Sequence, residues 1–174
     1  MNEKKEMPVL TVMIEIPKGS QNKYEFDPER RAIKFDRMLF SAVHYPSDYG
    51  FFIDTLAEDG DPLDALVLVS EPTFPGCIMD VRPVGLFKMW DEHGPDAKIL
   101  CVPLGDPLWN HIETLDDAPP HLLIEIEHFF KIYKELEHKK TGVEGWHGLD
   151  EALKTIFDAQ CRFKQNEKKD REVF

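Results

Sequence analysis

Between Glu58 and Val67 the chain runs Glu58-Asp59-Gly60-Asp61-Pro62-Leu63-Asp64-Ala65-Leu66-Val67. Three aspartates fall within six residues, directly before an apolar run. Like charges this close destabilise one another unless a cation compensates them. A run of charge is ordinarily a solvated face. This one is wholly acidic, carries Gly and Pro, and leads into an apolar stretch of the kind that forms a buried strand, so it points to bound cations. It does not fit an EF-hand loop. Counted from Asp59, the fifth position is Leu63, the sixth Asp64 and the twelfth Ser70, where that loop requires Asp, Gly and Glu. Zinc would want His or Cys partners, and none is near in sequence. Carboxylate oxygens alone favour Mg²⁺ or Mn²⁺.

A second acidic group, Asp91-Glu92-His93-Gly94-Pro95-Asp96-Ala97-Lys98, lies between two apolar runs and reads as a hairpin loop. Two acidic turns at strand ends favour a shared metal site. Cations and tyrosines are scattered more widely, as Lys23-Tyr24-Glu25, Asp36-Arg37, Tyr45-Pro46-Ser47-Asp48-Tyr49-Gly50 and Tyr133-Lys134. Each is ordinary alone, and spacing does not say whether they converge. The seven histidines form no HxH or HExxH pattern, and His93 alone sits in an acidic cluster. GxSxG, Walker A and GxGxxG sequences are absent, which removes support for acyl hydrolase, P-loop and dinucleotide-binding readings.

The elements that must position these groups change character along the chain. Val9–Ile16, Ala32–Asp36, Ala65–Val69, Cys77–Trp90 and Ala97–Val102 are short β-type runs. Asp59-Gly60, Pro75-Gly76 and Gly94-Pro95 punctuate them as turns. This pattern predicts a small antiparallel barrel or sandwich. From Leu122 the period changes to three and four, through Ile126, Phe129, Phe130, Tyr133 and Leu136, behind Pro119 and Pro120. Leu149, Leu153, Ile156, Phe157 and Cys161 repeat it in a second helix. The expected class is therefore α+β, mainly β, with two C-terminal helices.

The 174 residues amount to one domain, long enough to bury a core without staples. Residues 1–6 and about 165–174 are polar and are expected to be flexible. With 21 basic and 33 acidic residues the net charge is −12, which repels a nucleic-acid backbone. Three cysteines without a CxxC pair predict reduced thiols. With no apolar leader and no membrane-spanning stretch, the expected location is cytoplasmic, away from membranes.

The ordered motifs resemble the family I soluble inorganic pyrophosphatases. The resemblance rests on Asp59-Gly60-Asp61-Pro62-Leu63-Asp64, together with Glu15-Ile16-Pro17-Lys18, Lys23-Tyr24-Glu25, Asp36-Arg37 and Tyr45-Pro46-x-x-Tyr49-Gly50. Further along come Arg82-Pro83-Val84-Gly85, Asp91-Glu92, Asp96-x-Lys98, His128-Phe129-Phe130 and Tyr133-Lys134. It runs from about residue 12 to residue 146, and its length is that of the short prokaryotic type. One departure is Lys139-Lys140 followed by Thr141-Gly142-Val143-Glu144-Gly145-Trp146, where family members often place a lysine close before a Val-x-Gly-Trp-like segment.

The resemblance implies a five-stranded OB-like barrel and Mg²⁺-dependent hydrolysis of pyrophosphate, with several ions per site, in a homohexamer. It implies Asp59, Asp64, Asp96, Asp91 and Glu25 as metal ligands. Lys23 and Tyr49 would contact the attacked phosphate, and Arg37, Tyr133 and Lys134 the leaving one, with Tyr45 and Lys98 in support. Asp61 is the expected general base and Glu15 the competing candidate. Two other readings stand beside it: a non-catalytic divalent-metal or polyphosphate-binding module, and an OB-like nucleic-acid binder, which the charge opposes.

Overall fold

The computed structural model describes residues 9–172, with side chains described to Lys169. Eight strands and two helices follow in the order β1 (Leu10–Ile16), β2 (Asn22–Asp27), β3 (Ala32–Met38), β4 (Asp48–Phe52), β5 (Asp64–Val67), β6 (Ile78–Asp91), β7 (Gly94–Pro103), α1 (Pro120–Ile132), β8 (Gly142–His147) and α2 (Leu149–Glu172). Strands β1, β4, β5, β7 and β6 pair in that order, and β6 returns to β1, closing a ring of five. Past residue 81 the edge of β6 that held β1 pairs with β8. The hairpin β2–β3 forms a separate two-stranded sheet.

Alternation in β1 buries Val12, Ile14 and Ile16, the pattern of a strand with one face on a core. The middle of β7, Ile99 to Val102, is buried on both faces. Leu66, Leu100 and Val102 join one apolar cluster with Ile126, Phe129 and Phe130 of α1. The alternate residues Ala65, Val67, Ile99 and Cys101 join a second with Ala152, Ile156 and Ala159 of α2. Each helix thus covers one set of strand side chains, which is why a near-continuous apolar run is stable there.

The expected strands are present, but one pairing differs from the antiparallel expectation. β5 and β7 run parallel, with Asp64 beside Lys98. The chain between them travels up β6 and back, so it re-enters the ring in its first direction. Strands β2, β4 and β8 have no counterpart in the sequence reading, because their residues are polar or interrupted by glycine. Gly50 in β4 is required by close approach: a Cβ there would lie 1.9 Å from the Met13 carbonyl oxygen of β1. The charged stretch from Lys164, expected to be flexible, continues α2 as far as Glu172. Residues 1–6 lie outside the described residues.

Candidate active site

The Asp loop is built by its own polar groups. Gly60 takes a φ of 89°, where a side chain would be strained. The Asp59 carboxylate accepts a hydrogen bond from the Asp61 amide at 3.0 Å, the local turn that Asp readily makes. Asp61 and Asp59 are left exposed, and Asp64 enters β5 half-buried. The β5–β7 register then sets Asp64 beside Lys98, with Asp96 two residues earlier on the same face of β7.

Lys98 is 1% exposed and all three of its protons find acceptors: Tyr49 Oη and Asp64 Oδ2 at 2.9 Å, and Asp96 Oδ1 at 3.1 Å. Its Nζ also lies 5.0 Å from the Tyr49 ring centroid and 5.1 Å from that of Phe130. Burial opposes the ammonium charge, yet Asp64 and Asp96 hold its pKa well above the ordinary lysine value. Burial pushes the Asp64 carboxyl up to about 6, against Lys98 and with the help of the Asp96 charge. Asp96 meets the same burial, but Lys98 holds it below the usual carboxylate range.

A β-bulge between Ile14 and Ile16 interrupts the β1–β4 register at Glu15. Such bulges re-aim a side chain. Here Glu15 Oε2 accepts the Phe26 amide of β2 at 2.8 Å. Burial raises the Glu15 pKa to about 7; the Phe26 hydrogen bond opposes this and Asp64 adds to it. In the β2–β3 hairpin Lys23 and Arg37 are register partners. Lys23 touches Glu25 at 2.5 Å and Asp36 at 3.3 Å. Beyond α1, Lys134 Nζ lies 3.4 Å from Asp91 Oδ2, both 11% exposed. Burial lifts the phenol pKa values of Tyr45, Tyr49 and Tyr133 above the ordinary value and keeps them protonated donors.

All these groups face one cavity of about 760 Å³. Every residue given a metal, substrate or base role from the sequence lines it: Glu15, Lys23, Glu25, Arg37, Tyr45, Tyr49, Asp59, Asp61, Asp64, Asp91, Asp96, Lys98, Tyr133 and Lys134. Spacing alone did not establish that convergence. The cavity also takes in Asp36, Glu92, His93 and Lys139 at its walls.

The sequence profile described as "Inorganic pyrophosphatase" matches residues 12–164. The chain belongs to the inorganic pyrophosphatase family. It is 63% identical over 163 residues to the inorganic pyrophosphatase of Methanosarcina acetivorans, a match covering 94% of this chain and 97% of that one. To that of Bacillus sp. PS3 it is 46% identical, over 90% of this chain and 95% of the relative. The crystal structure of inorganic pyrophosphatase from Thermus thermophilus superposes with a TM-score of 0.87 at 46% identity, over 94% of this chain and 95% of that one. The pyrophosphatase neighbours bear out the expected OB-like, mainly β architecture with two helices.

Among the described residues, no three His, Cys, Asp or Glu side chains stand close enough to hold a metal ion as they are. Lys98 occupies the space between Asp64 and Asp96. The donor set nevertheless suits hard divalent cations in kind, since it is entirely carboxylate oxygen around one cavity. Partial desolvation of the Asp59 carboxyl, helped by the neighbouring Asp61 charge, pushes its pKa upward despite the hydrogen bond from the Asp61 amide. Added positive charge would relieve that repulsion.

Two participants carry no sequence signal strong enough to assign. Asp36 was visible only as the neighbour of Arg37, yet it bridges Lys23 and Arg37. Glu137 had none: it ends a short turn after Lys134 and reaches Arg37 across 100 positions.

Proposed function

We propose that this pyrophosphatase-family protein hydrolyses inorganic pyrophosphate to two phosphates in the 760 Å³ cavity, with Mg²⁺ as cofactor. The observation that supports this most is the meeting there of carboxylates from β1, β2, β5, β6, β7 and the Asp loop with cations from β2, β3, β7 and the turn after α1. Bound divalent cations would compensate the carboxylates and the diphosphate and would make a water acidic enough to lose a proton near neutral pH. Asp59, Asp64 and Asp96 would hold the tightest ion, with Asp91 and Glu25 contributing to others.

The remaining chemistry belongs to the chain. Asp61 is exposed at the tip of its turn and takes the proton of the attacking water. Glu15 competes for that role, because burial has brought its pKa to about 7, near the optimum for a base. Lys23 and the Tyr49 hydroxyl orient the attacked phosphate. Arg37, Tyr133 and Lys134 hold the departing one, so charge is neutralised as the bridging bond breaks. Lys98 holds Tyr49, Asp64 and Asp96 in fixed relation.

Among the described residues no helix is long and apolar enough to cross a membrane. We place the protein in the cytoplasm, a reading supported by its three free thiols. We also propose a homo-oligomer, taken as a hexamer from the family resemblance; the exposure of Phe35, Met38, Phe40, Phe74 and Ile78, each more than half exposed, supports association but not a copy number.

Phosphate release at saturating Mg²⁺ tests the assignment. The wild type is expected to give two phosphates per pyrophosphate consumed, and Asp61→Asn to lose ~10²–10⁴ in kcat. Metal affinity should fall less in Asp61→Asn than in Asp64→Asn. Near-normal kcat in Asp61→Asn would transfer the base to Glu15. Pyrophosphate binding without turnover in the wild type would favour a non-catalytic binding module instead.

A further inference from the structure

Glu137 has no part in the reaction described so far. Its side chain is 4% exposed and lies along one edge of the Arg37 guanidinium. Nη2 donates to Oε2 at 3.2 Å, and Nε sits 2.6 Å from Oε1 without hydrogen-bond alignment. The other edge, through Nη1, meets Asp36 at 2.5 Å. Asp36 is a different kind of partner. Its side chain is 32% exposed and it is shared with Lys23.

The two carboxylates therefore differ in what they can do when an anion arrives. Asp36 stands at the open side of the cavity, where water can take over its solvation and a phosphate oxygen can replace it. Glu137 is enclosed, and parting it from Arg37 would strand a buried charge. A guanidinium is planar and rigid, so holding one edge fixes the direction of the other. The grip on Arg37 also joins the β2–β3 hairpin to the turn after Tyr133 and Lys134, the other two groups read as contacts to the departing phosphate.

We propose that Glu137 is a positioning residue: it fixes Arg37 from the buried side so that the Nη1 edge faces the substrate, while Asp36 holds that edge only until phosphate replaces it. The proposal rests on reading Arg37 as a phosphate contact. Glu137 acts through Arg37 and touches no reacting atom.

A double-mutant cycle on kcat/KM for pyrophosphate tests this, with thermal melts confirming that each variant is folded. Arg37→Ala should lose about 10²–10³, as for removal of a charge-stabilising donor. Glu137→Gln keeps the shape but gives up the charge-assisted pairing, and should lose about tenfold or more. If Glu137 works through Arg37, the double variant should fall within about twofold of Arg37→Ala alone. Should Glu137→Gln fail to fold, Glu137→Asp takes its place in the cycle. Multiplying losses, or an unchanged Glu137 variant beside a damaged Arg37→Ala, would overturn the positioning role while leaving the Arg37 assignment standing. A near-normal Arg37→Ala would overturn both.

Discussion

Glu15 shows how one carboxyl can be tuned by its place in the chain. The bulge in β1 turns it inward, burial favours its neutral form, and its pKa rises from about 4.5 to about 7. The folded protein thus binds this proton more tightly than the unfolded chain. Its contribution to stability is fully present below the unfolded pKa and is lost as pH rises from about 4.5 to about 7. Above that range the penalty is roughly 3 kcal/mol, at ~1.4 kcal/mol per unit. Glu15→Gln keeps an acceptor for the Phe26 amide but cannot ionise. In chelator, it should raise the melting midpoint at pH 8 by several degrees and change it little at pH 4. An equal shift at both pH values would mean that Glu15 is not held neutral by burial. Residue types and spacing were enough to nominate the aspartates, and the family resemblance nominated Glu15. Glu137 was invisible because its importance comes from a contact with Arg37, and nothing in its own neighbourhood marks it.

At the scale of elements, legibility followed how much a strand owes to its own pattern. β1, β5 and β7 carry apolar runs that face a core, and their existence was evident. β2 reads Asn-Lys-Tyr-Glu-Phe-Asp and is held by pairing with β3, so its strand character comes from a partner. β8 contains Gly142 and Gly145 and is a strand because β6 offers it an open edge. β4 carries no strand pattern of its own, since it opens just after Pro46 and contains Gly50, yet it is the strand that pairs β1 into the ring. Gly50→Ala puts a methyl group against the Met13 carbonyl, a backbone atom that cannot swing aside. Overpacking of this kind costs about 1–3 kcal/mol. Urea unfolding should show that loss. Because β4 carries Tyr49 and pairs beside the Glu15 bulge, kcat should fall with stability. Unchanged stability would mean that the two strands do not pack this closely.

The whole molecule sets one problem that its parts must solve: a chain of net charge −12 has to accept a compact, highly charged anion. The cationic side chains of the cavity are already taken in the resting protein: Lys23 by Glu25 and Asp36, Arg37 by Asp36 and Glu137, Lys98 by Asp64 and Asp96, Lys134 by Asp91 and Lys139 by Glu92. On the proposed function, positive charge from outside the chain would free that set to meet phosphate. Ca²⁺, larger and taking more ligands than Mg²⁺, should occupy the carboxylates without restoring the geometry. The most direct measurement is therefore phosphate release from pyrophosphate by protein stripped with chelator, then given Mg²⁺, Ca²⁺ alone, or Mg²⁺ with added Ca²⁺. No release above background is expected in chelator, full release on Mg²⁺, and inhibition by Ca²⁺. Undiminished release from the stripped protein, or full activity with Ca²⁺ alone, would contradict the proposed need for Mg²⁺.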